Sequence, residues 1–426
     1  MATQTETSTS HGPRWPFIIA WGFALVFYFL QYGLRSAPSV MVSELTSAYG
    51  LSALGVSSLI GAYYYTYSTF ALVAGASLDR FGPRSTISVG VAVLAIGCVL
   101  FVAGSVVPAT AGRLLQGAGS AVAFPGAIYL AVLAFPAKYL ATAVGFTQMA
   151  GMFGGSAGQF LVAPILKVLP SWHSFWFYVA GLLIIIAVIV FLVTPKKEKE
   201  PNPEHHTFSS IISPIKIVLE NPQSYLCGIT SGLLFVPTTI GAMIWGVRFL
   251  HTEGVTSNLV AADRASMVAL GWVIGCPVLG YIADRIGLRK PVLIGGAILM
   301  LFSAAAILYL PSVIPPYVGG LLLGFGSGAA MIPYSMIKEA NPDKVKGSAT
   351  GVMNFLVFLF SAFLAPVYGF ILVHSSGGSP LKLSDFQQAG VLGIGFILLA
   401  IVLAFFIKET GLKARRPAAA VSAGQA

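Results

Sequence analysis

Long apolar stretches of 20 to 27 residues alternate along this chain with short polar interruptions. A helix rises 1.5 Å per residue, so about 20 apolar residues cross the roughly 30 Å hydrocarbon layer of a bilayer. Twelve such stretches are predicted. Six lie at residues 16–36, 51–77, 86–107, 109–135, 141–166 and 175–194, and six at 223–249, 261–283, 291–311, 315–338, 347–373 and 385–407. The pattern predicts an all-α integral membrane protein with twelve transmembrane helices in two six-helix bundles. Residues 15–195 form the first bundle and 223–410 the second. Residues 1–14 are a polar, disordered tail, 196–222 a Pro- and Lys-containing linker and 411–426 a second tail. A short amphipathic helix near Ser209–Leu219 fits the inner membrane surface.

The two halves repeat each other. Gly75-Ala-Ser-Leu-Asp79-Arg80-Phe-Gly82-Pro-Arg84 returns as Gly280-Tyr-Ile-Ala-Asp284-Arg285-Ile-Gly287-Leu-Arg289, offset by 205 residues (79 to 284). Leu114-Leu-Gln-Gly117-Ala-Gly119-Ser120 mirrors Leu321-Leu-Leu-Gly324-Phe-Gly326-Ser327, and Ala141–Gln148 mirrors Gly347–Asn354, at offsets of 206 or 207. One register therefore relates the bundles and makes them pseudo-symmetric, the sequence mark of a duplicated architecture. In membrane proteins that arrangement points to a transporter with a central site between halves.

Composition narrows the class. Hydrophobic residues make up 56% and charged residues 9%, with mean hydropathy +0.85, where soluble domains carry about 25% charge. A net charge of +10 would suggest nucleic acid in a soluble protein. Here 18 of the 24 Lys and Arg residues fall in the tails and in every second loop. That asymmetry obeys the positive-inside rule, puts both termini in the cytoplasm, and removes nucleic acid as a partner. The three cysteines lie in apolar runs without paired spacing, and His205-His206 reads as a solvated pair, so no metal or cofactor is expected. Gly154-Gly-Ser156-Ala-Gly158 matches a nucleophile elbow literally, but it lies inside an apolar helix without a strand before it or a histidine within the membrane. The chain is not expected to be an enzyme.

Candidate substrate contacts begin in the first span. Trp21, Tyr28, Gln31, Tyr32 and Arg35 share one arc of the helical wheel, and such a polar stripe must face protein or water rather than lipid. Arg35 offers a planar, permanently charged fork for a carboxylate or phosphate, with Tyr28, Gln31 and Tyr32 shaping the pocket. The alternative is a snorkelling arginine at the outer interface. In the second span Tyr63 and Tyr67 share a side. Arg113 in the fourth is either a substrate contact or an interhelical anchor. Gln148 and Asn354 hold equivalent places in spans five and eleven, and Trp245 represents span seven, where Arg248 is an interface residue or a gate partner for Asp263. None of the fourteen acids sits mid-span. That favours facilitated transport, exchange or coupling through the substrate's charge, and leaves protons open as a partner.

The repeated G-x-x-x-D-R-x-G-x-R loop resembles the signature between helices 2 and 3 of the major facilitator superfamily, with its helix 8–9 counterpart, and the resemblance runs from about Trp15 to Thr410. Tyr32-Gly-Leu-Arg35-Ser-Ala-Pro-Ser-Val-Met41, the tyrosine run and Leu78–Arg84 are similar to a bacterial branch with amino-acid transporters of intracellular pathogens, distantly related to lysosomal dipeptide transporters. The organic-anion branch, which also places arginine on helices 1 and 4, is nearly as similar. Residues 154–158 lack the Gly-Pro pair of drug antiporters. The resemblance implies a monomeric transporter that works by rocking its bundles, with Asp79, Arg80, Arg84, Asp284, Arg285 and Arg289 as the gate. The expected substrate is a small carboxylate-bearing metabolite: an amino acid, short peptide or organic acid. A ligand receptor that moves nothing and a drug efflux antiporter are the alternatives.

Overall fold

The computed structural model describes residues 15–135, 137–196, 208–311, 313–315, 317–342, 345–411 and 413, with backbone alone at 76, 79, 137–142, 144, 145 and 208–212. The described residues are helical throughout their long apolar runs. Spans α1 (Trp15–Tyr49), α4 (Val106–Ala134), α6 (Trp172–Val193), α7 (Pro222–Thr252), α8 (Asn258–Ile286), α9 (Lys290–Tyr309), α10 (Val318–Glu339), α11 (Lys346–Ser376) and α12 (Leu383–Phe406) are long and apolar enough to cross a bilayer. So is Arg80–Phe101, and the bent pair Phe146–Phe160 and Val162–Val168 adds an eleventh. The twelfth lies in the helical run Ala53–Phe101, which breaks at Gly82 into α2 (residues 53–81) and α3 (residues 83–101). Five polar residues, Tyr63 to Tyr67, lower the hydropathy of α2 without shortening it. We label the bent span, which starts at Ala137, α5. Twelve membrane helices result, as the sequence predicts. The linker carries the expected short helix, Phe208–Leu219, with an exposed Lys216–Glu220 pair on its surface. Residues 1–14, His205-His206 and the second tail apart from 411 and 413 lie outside the described residues.

The duplication is visible in the packing. A methyl group on Gly117 of α4 would strike the Tyr63 carbonyl of α2, and one on Gly324 of α10 would strike the Val268 carbonyl of α8. Two residues on, Gly119 lies on Gly90 and Leu94 of α3, and Gly326 lies on Gly296 and Met300 of α9. The same backbone-on-backbone contact is thus built twice at the repeat offset. In lipid, helices associate through close packing rather than water exclusion, so these glycines set the interhelical distance. The false elbow serves the same end. Gly154 and Gly158 lie against the Phe29 and Gly33 carbonyls of α1, and Ser156 donates to the Ser266 carbonyl of the other bundle.

The two signature loops differ in backbone. Gly287 ends α8 in the left-handed region (φ 72°, ψ 19°), whereas Gly82 takes φ 75°, ψ 166°. The second combination is essentially confined to glycine. In α7, residues Pro237–Trp245 wind as a π-helix, a rare form found mostly at functional sites.

Beyond α12 the chain turns back onto the α8–α9 loop. The Glu409 carboxylate accepts from the backbone N–H groups of Arg289 (2.8 Å), Lys290 (2.9 Å), Thr410 (3.0 Å) and Gly411 (2.9 Å), capping the start of α9. Burial alone would raise its pKa, but these donors outweigh burial and lower it. A carboxylate held below its unfolded value adds stability above that value, about 4.3 for glutamate, and loses it as pH falls through the folded one. Thermal unfolding in detergent should therefore be flat across neutral pH with respect to this group and weaken below about pH 4. Glu409→Gln should lower the neutral unfolding temperature by a few degrees and flatten that part of the acid limb.

Candidate functional site

Arg35 ends the regular part of α1 and is 1% exposed, which removes the snorkelling alternative. Its Nη2 donates to Tyr63 Oη (3.1 Å) and to Gln31 Oε1 (3.3 Å), and Tyr63 Oη donates to the same Gln31 oxygen (2.8 Å). Rings enclose the guanidinium: Tyr32 at 4.1 Å from its carbon, Tyr67 at 4.5 Å, Tyr63 and Phe358 at 5.0 Å, and Tyr64 at 5.7 Å. Four of these rings come from the first bundle. Phe358 comes from α11 of the second, so the cage spans the boundary between halves.

The sequence places these groups by simple periodicity. Gln31 and Arg35 lie one turn apart on α1, and Tyr63 and Tyr67 one turn apart on α2, where their rings stack (centroids 5.5 Å, 18°). Ring faces attract a cation, and several such contacts partly replace lost hydration. No carboxylate pairs with Arg35 among the described residues: the ion pairs there involve Lys216, Arg264 and Arg289. Three buried polar groups at the cage also lack partners, namely Arg35 Nε, Gln31 Nε2 and Tyr64 Oη. A buried cation beside unpaired donors is expensive unless an anion completes it.

Arg113 also lacks a carboxylate partner among the described residues and has an unpaired Nε, but it meets more protein acceptors. It is fully buried in α4, and its terminal nitrogens donate to the Leu34 carbonyl (3.3 Å), the Ile60 carbonyl (3.1 Å) and Gln116 Oε1 (2.6 Å). It fastens α1, α2 and α4 together from inside one bundle. The Arg113→Met protein should lose roughly 2–4 kcal/mol of stability, the loss expected for a buried charge-assisted network. Thermal unfolding in detergent checks this.

The remaining expected contacts divide. Tyr28 Oη donates to Gln148 Oε1 (3.3 Å), and the Tyr28 ring meets Tyr32 edge-on at 5.2 Å, so both adjoin the cage. Trp21 donates to Thr147 (3.2 Å) further along α1. Asn354 Oδ1 accepts from Tyr334 Oη (2.8 Å) on the second-bundle side. Trp245 stands apart. Its Nε1 donates to Ser57 Oγ (3.4 Å), and Ser57 lies six residues, about 9 Å, from Tyr63 along α2. Trp245 belongs to the end where the bundles close. There Ser57 donates to the Ala365 carbonyl, and Gln159 Nε2 to the Ala242 carbonyl (2.8 Å). Trp245 also lines a cavity of about 170 Å³ within the second bundle, beside an Arg264–Glu253 pair (3.3 Å). That pair, rather than Arg248 with Asp263, is the ion pair recorded at this end.

Of the gate residues, Arg289 bonds Asp284 (2.5 Å) and Glu339 (3.1 Å), all within the second bundle. Arg285 is exposed. Arg84 stacks on Phe191 of α6 (4.1 Å), Arg80 lies near Phe81 (5.3 Å), and the Asp79 side chain lies outside the described atoms. Each recorded ion pair of these loops stays within its own bundle. Hydrogen bonds join the bundles at the Ser57 end, and α11 also meets α2 nearer the signature loops, where a Cβ on Gly351 would lie 3.4 Å from the Ala71 carbonyl. Sequence reasoning assigned no role to Phe358, Tyr64, Tyr334 or Ser57. Phe358 is one of several phenylalanines on α11, and spacing alone does not separate it from those facing lipid.

Comparison with known proteins agrees with this geometry. The family model described as Major Facilitator Superfamily matches residues 24–366 and 256–424. A probable galactarate/D-glucarate transporter of Escherichia coli is 23% identical over 90% of this chain and 92% of its own length. The citrate-proton symporter of Klebsiella pneumoniae is 25% identical over 75% and 76%, and the Escherichia coli hexuronate transporter 25% identical over 87% and 91%. Among solved structures, a bacterial homologue of the human lysosomal transporter Spinster, inward-facing and unoccupied, superposes with TM-score 0.73 at 17% identity, covering 93% of this chain and 98% of its own.

Proposed function

Because the chain belongs to the major facilitator superfamily, we propose that it carries a small organic acid across the membrane and that the caged Arg35 holds the carboxylate. One observation carries this reading: a buried, permanently charged fork with no acid partner, ringed by unpaired donors. An incoming carboxylate supplies the missing charge and acceptors, and a guanidinium binds it through two parallel hydrogen bonds. Tyr63 and Gln31 orient the fork, while Tyr28, Tyr32, Tyr67, Gln148 and Asn354 shape the surroundings. Arg113 positions α1 and α2 behind it, and Trp245 works in the closure between bundles.

The similarity to carriers named for glucarate, citrate and hexuronate supports the organic-acid class over amino acids and peptides. Alternating access follows from rocking of the bundles. The hydrogen bonds between bundles at the Ser57 end hold one extreme of that motion. In the other, Asp79, Arg80, Arg84, Asp284, Arg285 and Arg289 clamp the opposite face. The basic bias of alternate loops puts those loops and both termini in the cytoplasm, with the protein in a bacterial inner membrane.

The test is uptake of radiolabelled organic acids into proteoliposomes, with and without a pH gradient. Saturable uptake of at least one carboxylate is expected. Binding without flux would leave only a receptor, and flux confined to uncharged drugs would defeat the carboxylate assignment. Faster uptake in the gradient would add a proton to the cycle.

A further inference from the structure

We infer that the acid bound at Arg35 has an aromatic or flat apolar body, rather than a polyhydroxylated chain or an ammonium group. This rests on the preceding reading of Arg35 and concerns the wall opposite it. Phe358 of α11 faces the guanidinium and packs on Tyr67 (4.8 Å) and Tyr64 (6.0 Å). Behind it stand Phe235 (5.5 Å from Phe358) and Trp272 (4.6 Å from Phe235). This wall is a chain of rings, and flat ligands gain from offset or edge-on contacts with it.

Several polar groups near that wall are paired with one another, while Tyr64 Oη and Gln31 Nε2 beside the guanidinium are not. Trp272 Nε1 donates to Thr238 Oγ1 (2.9 Å), Thr239 and Ser361 share a hydrogen bond (2.8 Å), and Tyr334 Oη donates to Asn354 Oδ1 (2.8 Å). Tyr64 Oη and Gln31 Nε2 can serve the carboxylate or a hydroxyl next to it, but a polyhydroxylated chain would lose the rest of its hydration without equivalent replacement. An ammonium group needs a carboxylate. Those of Glu253 and Asp385 belong to the opposite end of the second bundle, where Glu253 binds Arg264 and Asp385 caps α12.

Binding to the purified full-length protein tests this with four probes: 3-phenylpropionate, D-glucarate, L-phenylalanine and neutral 3-phenylpropionamide. Calorimetry should show 3-phenylpropionate binding at least about tenfold tighter than the other three, since one aromatic contact with the charge pair is worth a kcal/mol or more. Phe358→Ala should weaken 3-phenylpropionate about tenfold and acetate by less than about twofold. Phe358→Leu keeps the volume, removes the ring and should show the same preference more mildly, which guards against misfolding of the alanine protein. Arg35-dependent binding of D-glucarate or L-phenylalanine in preference to 3-phenylpropionate overturns this inference alone. Absence of any Arg35-dependent carboxylate binding overturns the transport assignment with it.

Discussion

Arg35→Gln proteoliposomes should take up organic acid about 100-fold more slowly than wild type, because a paired charge-assisted contact is worth about 3 kcal/mol. Arg35→Lys should recover only part of this, since an ammonium keeps the charge and loses the planar fork. Stability gives the sharper reading. A structural arginine lowers the unfolding temperature when removed, as expected for Arg113 with its three protein acceptors. Arg35 is buried without a counter-ion, and relieving an uncompensated buried charge does not destabilise. The Arg35→Gln protein should thus unfold at or above the wild-type temperature while losing transport. A clear fall in unfolding temperature with transport retained would make Arg35 a scaffold residue.

A disulfide between α2 and α11 should stop the carrier reversibly. A Cβ on Gly61 would lie 2.7 Å from the Ala365 Cβ, so a shift of about 1 Å brings a Gly61→Cys, Ala365→Cys pair to the ~3.8 Å a disulfide prefers. This joint lies one turn from Tyr64, and the cage closes only while α2 and α11 meet. Oxidation should abolish uptake and reductant should restore it, with the single-cysteine proteins unaffected. The native Cys98 and Cys227 are buried, and the partly exposed Cys276 of α8 is changed to serine beforehand. Full transport by the oxidised pair would mean that α2 and α11 stay together throughout the cycle.

Much of this was legible before any coordinates. Span number and the repeat follow from charge in lipid and from helical spacing, whereas the choice between a buried and a snorkelling Arg35 needed the packing of α2 and α11 around it. The direction of Arg113 was not legible, because the carbonyls it meets belong to backbone, and every residue carries one. Trp245 ends the π-wound stretch of α7 and donates to Ser57 of the other bundle, a contact that spacing along one helix does not reveal. Phe358 matters only because α11 crosses α2, a tertiary fact that one helix does not encode. The 170 Å³ cavity beside Trp245 lies in the second bundle rather than around Arg35, since the rings fill the cage in this conformation.

The lone cation in the cage has an electrical consequence. Empty, the site presents one positive charge to whichever side is open; loaded with a monoanion, it presents none. A full cycle without a co-transported ion therefore moves one negative charge, and against about 100 mV, negative inside, each anion entering costs roughly 2.3 kcal/mol. Swapping one anion for another moves no net charge, because the guanidinium is neutralised on both strokes. A voltage clamp across reconstituted membranes should register current from net uptake and silence from exchange.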